Sequence, residues 1–167
     1  IKSLPDSLAQ LAPTFPKLGS DGVLLKKALR KARQIEDEHS ALSLDEIAAI
    51  VLYTMEDSPR ESSPYFAMNG ALRAKDRQSV RSWRDYIWLL LHALKKLPPS
   101  ASKMLFRGAK EAIAGMQVAK GKEVVWSGFS STATTIDVMK DFVGQDGPRT
   151  LFQLELIEPL IARDIQA

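Results

Sequence analysis

"KMLFRGAKEAIAGMQVAKGKEVVWSGFSSTATT", residues 103–135, is where a helical sequence pattern gives way to a strand pattern. One apolar run ends in Arg107-Gly108, and a second passes through Val124, Val125 and Trp126 into Phe129-Ser130-Ser131-Thr132. The alternation is close to two residues, the period of a strand whose successive side chains point to opposite faces. An arginine at a strand end presents a planar, permanent cation that grips a phosphate or carboxylate at two points, or it makes a plain salt bridge. Gly108 lacks a Cβ, so a ligand can approach its backbone, unless it only serves a turn. Along the second strand Ser131 faces opposite to Ser130 and Thr132, either as a site hydroxyl or as edge decoration.

Upstream of this stretch the period changes. Residues 1–20 carry three of the nine prolines and read as an arm over the surface. From Asp21 to about Glu38, Val23, Leu24, Ala28, Leu29, Ala32 and Ile35 recur at helical spacing. Ser43 and Glu46 form a capping-box pattern that starts a second helix through Ile47, Val51 and Met55. "YFAMNGALRAK" reads as a short helix, and "SVRSWRDYIWLLLHALKKL" aligns Val80, Trp83, Ile87, Leu90 or Leu91, and Leu94 until Pro98-Pro99 ends it. Tyr53, Phe66, Trp83, Tyr86 and Trp88 fall on these helices, where aromatics fill the core rather than stack on a ligand.

Beyond Ser100, "KMLFR", "KEVVW", "FSSTAT", "TLFQLEL" and "PLIARDIQA" read as strands, with "TTIDVMKDFV" as a helix between them. Helices first and strands second predict an α+β fold. The expected organisation is an arm over residues 1–20 and a single domain over 21–167, with a helical layer at 21–98 and a mainly β layer at 101–167. About 67 residues of sheet could hardly bury a core alone.

Composition narrows the function. No apolar run approaches the ~20 residues of a membrane span. The net charge of +3 is too mild to argue for nucleic acid. Two histidines and no cysteine give no metal-ligand spacing and no disulfide framework, which favours a reducing compartment. A nucleophilic triad is discounted because His39 and His92 lie in helical stretches without an evident carboxylate and serine companion, and no G-x-S-x-G occurs. The chain opens on Ile1 and stops after a strand-like run, which reads as a piece of a longer protein.

Taken in order, several segments resemble the arginine-serine-glutamate class of mono-ADP-ribosyltransferases. "IVLYTMEDS" and "YFAMNGALR" are similar to its helical segments, "LFRGA" to its first catalytic strand, "VVWSGFSSTATT" to its W-x-x-F-x-S-T-S strand, and "RTLFQLELIEPLIARDIQA" to the strand pair before its catalytic loop. The resemblance implies an ADP-ribosyltransferase-like fold, with N-terminal helices packed on a mixed or antiparallel β-sandwich, truncated at its C-terminus. It implies NAD as co-substrate, no metal, a protein target as acceptor of ADP-ribose, and a monomer. Arg107 would bind the phosphates or the nicotinamide ribose, Gly108 would hold the carboxamide through its backbone, and Ser131 would position the catalytic glutamate. Tyr53 and Asn69 would lie against the dinucleotide, and Phe142 would pack on nicotinamide.

Two departures stand out: Ala133 occupies the third position of S-T-S, and the E-x-E segment is expected beyond Ala167. Glu155 and Glu158 are rejected as its replacement, since a spacing of three puts them on opposite faces of a strand. The resemblance thus implies that this chain alone is weak or silent as a catalyst while still able to bind NAD. A bacterial toxin or effector acting in the cytosol of a host cell suits the missing cysteines. A non-catalytic NAD-binding or docking module, and a helix-rich interaction domain in which "FRG" and "FSST" coincide by chance, are the alternatives.

Overall fold

A computed structural model of the protein describes residues 1–38, 41–109, 120–138, 147–157 and 162–165. The chain divides into a helical unit, Ile1–Pro98 with Asp164–Ala167, and a strand unit, Pro99–Arg163. The division falls where the Pro98-Pro99 pair stops the last helix. The architecture is α+β.

The helical unit is organised around α3, Leu44–Thr54. Its start is local chemistry: the Glu46 amide donates to the Ser43 hydroxyl at 3.4 Å while the Glu46 carboxylate accepts from the Ser43 amide at 2.7 Å. Ile47 through Leu52 are all buried, because α2 (Val23–Ile35) and α5 (Gln78–Lys96) pack against α3. Each fully buried leucine contributes about 1.5–3 kcal/mol. The α2 helix opens at Gly22, where a Cβ would lie 2.2 Å from the Lys17 carbonyl oxygen. Only glycine fits that approach. The fourth helix, α4 (Pro64–Arg73), begins on its own proline and packs on α5 and α3.

The first twenty residues are not a surface arm. Leu4, Leu8, Leu11 and Leu18 are essentially inaccessible, and the Leu4 amide donates to Asp45 Oδ1 at 2.9 Å. The prolines mislead because Pro5 and Pro16 sit in the first turns of short helices, where a missing N–H costs nothing. The first of these helices, α1 (Leu4–Leu8), lies on α5 and α3.

The register of α5 also differs from expectation. Its buried stripe is Trp83, Tyr86, Leu89, Leu90 and Ala93, whereas Trp88 and Leu91 are exposed. "IWLLLHAL" is apolar nearly all round, so periodicity alone could not choose the inward face.

In the strand unit, β1 (Met104–Ala109) and β2 (Thr150–Glu155) form a two-stranded antiparallel sheet with Arg107 opposite Phe152 and Gly108 opposite Leu151. Of the other expected strands, "FSSTAT" contributes one bridge, with Phe106 and Ala133 exchanging two backbone hydrogen bonds of 2.8 Å. "KEVVW" carries no ladder among the described residues, and Val124 and Val125 are exposed. From "PLIARDIQA", Arg163 bridges Pro99 and the Ala162 carbonyl accepts from Ser100 at 3.0 Å. The expected helix is seen as helical backbone at 136–138, and its continuation lies outside the described residues. Among the described residues, the sheet has two strands, so the sandwich goes beyond what they contain.

Candidate functional site

Antiparallel pairing puts directly opposed residues on one face, so Leu105, Arg107 and Ala109 share a face with Leu154, Phe152 and Thr150. This is the less exposed side of β2. Arg107 therefore projects beside Phe152, and Trp126 closes over both. The Trp126 and Phe152 rings meet edge-on with centroids 5.4 Å apart, and the Arg107 guanidinium carbon lies 5.5 Å from the Trp126 ring centre. That placement lets the ring face attract the cation.

The guanidinium also reaches across to the second motif. Its Nη1 donates to the Ser131 carbonyl oxygen at 3.0 Å. The two halves of the opening stretch, separated by 24 positions in sequence, meet through this bond. Gly108 is buried on the same edge. Because Phe106 exchanges its backbone bonds with Ala133, alternation turns the amide and carbonyl of Gly108 to that side too, away from β2. Ala133 does its work through its backbone, so the hydroxyl missing from S-T-S is not needed for the bridge.

The structure thus brings Arg107, Gly108 and Ser131 together. Tyr53 and Asn69 belong to the helical unit, where both are buried, and Tyr53 meets the Tyr65 ring edge-on at 6.4 Å. Phe142 lies outside the described residues. Glu155 is on the exposed side of β2, opposite Met104, on the face away from Arg107. Glu158 lies outside the described residues. Sequence reasoning missed Trp126 and Phe152 as neighbours of the arginine. Trp126 stood in the quoted motif without a role, and Phe152 becomes visible only once the strand register is known.

The titratable groups of the helical unit have a different purpose. His92 Nε2 does have a carboxylate neighbour, Glu46 Oε1, at 3.7 Å, and Glu46 in turn caps Ser43. The order is wrong for a triad, where the histidine must stand between hydroxyl and carboxylate. Here the carboxylate stands in the middle. Burial raises the Glu46 pKa, but hydrogen bonds from Lys96 and from Ser43 outweigh it and hold the carboxyl below its ordinary value. Burial, with a smaller contribution from Tyr53, pushes the Tyr86 hydroxyl far above the usual phenol value, and it donates to the Ala49 carbonyl at 3.0 Å. These are packing devices. His39 lies outside the described residues.

Among the described residues no group of three or more His, Cys, Asp or Glu is placed to hold a metal ion, and no helix is long and apolar enough to cross a membrane. Comparison with protein-family models, with curated proteins and with solved structures gave no match to this chain.

Proposed function

We propose that this chain is the NAD-binding part of a protein mono-ADP-ribosyltransferase of the arginine-serine-glutamate class, with the corresponding fold. The observation that carries the reading is the 3.0 Å bond from Arg107 to the Ser131 carbonyl, beside the Gly108 backbone. Chance occurrence of "FRG" and "FSST" gives no reason for the two motifs to converge on one sheet edge.

The residues fit the co-substrate. The guanidinium that donates to the Ser131 carbonyl is a planar, permanent cation, a shape and charge that suit the oxygens of a diphosphate or ribose. The Trp126 face and the Ser131 carbonyl restrain Arg107 before any ligand arrives, so less rotamer freedom is lost on binding. Gly108, with no Cβ, lets the carboxamide approach the chain closely, and Ser131 orients a glutamate.

In the reaction the bond between nicotinamide nitrogen and the ribose anomeric carbon breaks, its electron pair leaving with nicotinamide. A carboxylate near the ribose stabilises the oxocarbenium-like charge, and an acceptor side chain, arginine by preference, forms the new bond to that carbon and gives up a proton. Arg107 and Gly108 bind and orient, which does not need that carboxylate. A toxin or effector acting as a monomer in reducing cytosol is the setting we favour.

Incubating the full-length protein with labelled NAD and a target lysate should label protein and release nicotinamide. Neither label nor nicotinamide release would refute the enzymatic reading. The second reading, a non-catalytic NAD-binding or docking module, is favoured by Ala133, which removes a site hydroxyl. It predicts saturable NAD binding in a calorimeter with no turnover in the full-length protein.

A further inference from the structure

Trp88 is 63% exposed and Leu91, one helical turn on, 47% exposed, on a helix whose opposite face already fills the core. Both line a groove of about 610 Å³ on the helical unit, with Ile87 and Leu72 completing an apolar floor. Arg77, Arg81 and Arg84 rim the same groove. Asp85, the acidic residue on this rim, is already engaged by Lys2 Nζ at 2.6 Å and by Arg84 Nε at 3.2 Å. The rim is therefore positive.

We propose that this groove docks an acidic amphipathic helix of a partner protein. The shape argues for a helix: Arg81, Arg84, Trp88 and Leu91 follow one stripe of α5 at three- and four-residue spacing, extended by the N-cap residue Arg77 to a line of roughly 20 Å that suits about four turns of a partner. Charge argues for its chemistry, since the arginines occupy the N-terminal half of the stripe and the apolar residues the C-terminal half. An occupant with glutamates at one end and leucines at the other satisfies both. A bilayer surface would take a flat apolar strip with basic groups along its flanks rather than this concave, lengthwise arrangement. Tryptophan and arginine are also the residues on which interface energy concentrates. The groove is independent of the NAD reading, because none of its lining residues is among those assigned to NAD.

The probe is a fluorescein-labelled synthetic helical peptide with glutamates in one half and leucines at helical spacing in the other, titrated with the whole chain and read by anisotropy. A lysine-for-glutamate isomer and phosphatidylcholine/phosphatidylserine vesicles serve as competitors. The glutamate peptide should bind saturably, the isomer should not, and Trp88→Ala and Arg81→Glu, both at exposed positions, should each weaken binding about tenfold or more. Their circular dichroism and melting should match the unsubstituted chain. No binding, equal binding of the two peptides, or insensitivity to both substitutions would overturn the proposal. Displacement of the peptide by vesicles at lower concentration would assign the face to a membrane surface. Concentration-dependent self-association that Trp88→Ala abolishes would assign it to a second copy of the chain. Either of these outcomes also overturns it.

Discussion

The helical unit and the strand unit come from one chain with one composition, yet they bury their residues differently. In the helical unit twenty-four apolar side chains from Leu4 to Ala93 are buried, whereas in the strand unit Leu105 is the buried apolar side chain among the described residues. Val124, Val125, Val138, Leu151 and Ile157 remain exposed there. The difference follows from where each element finds its partners. A helix satisfies its own backbone and needs only one apolar stripe to dock, while a two-stranded ribbon needs further strands or a covering layer to become stable. The candidate site lies on the unit with less burial, which suits a surface that meets a ligand.

The largest expected effect separates the units by truncation. Leu52→Ala should destabilise the protein by about 2–5 kcal/mol, while Val125→Ala should change stability by less than about 0.5 kcal/mol, both read by urea unfolding. Equal effects would erase the contrast between the units. Gly22→Ala comes next, at about 1–3 kcal/mol, because its Cβ collides with a backbone carbonyl that no side-chain rotation can move. A neutral outcome in the same assay would mean that the α2 entry is looser than the structure shows.

Tyr86→Phe should cost about 1 kcal/mol, the value of one buried hydrogen bond whose donor is removed and whose acceptor, the Ala49 carbonyl, still belongs to a helix. The smallest effect concerns acid. The folded Glu46 carboxyl is a stronger acid than the unfolded one, so its contribution is full above the ordinary value of 4.5 and is lost as pH falls through the lowered folded value. Glu46→Gln should therefore lower the melting temperature at neutral pH and make little difference at pH well below 4.5. A deficit that persists unchanged into acid would show that the capping geometry, and not the charge, matters.

What could be read from the sequence was what residues settle with their near neighbours. The Ser43/Glu46 box was legible because both partners lie within one turn, and the start of α3 follows it. The burial of Leu4, Leu8, Leu11 and Leu18 is hidden in the sequence because proline has two uses, breaking a helix and opening one, and two of the prolines here open helices. The inward face of α5 could not be chosen because the helix is apolar on two sides, and its second apolar side is the groove with Trp88. Arg107, Gly108 and Ser131 were legible as motifs, but the reason they meet was not. It depends on the Phe106–Ala133 bridge and on the face of β1 that carries Arg107, and a slip of one residue would turn every side chain to the other face.

We propose Arg107, braced by Ser131 and Trp126, as the handle for NAD. Calorimetric titration of this chain with NAD, repeated on Arg107→Ala, tests it most directly. Binding should be saturable, and Arg107→Ala should weaken it about tenfold or more, the ~1.5–3 kcal/mol of a hydrogen bond to a charged group. Absence of binding to the unsubstituted chain, or equal affinity in the two proteins, would contradict it.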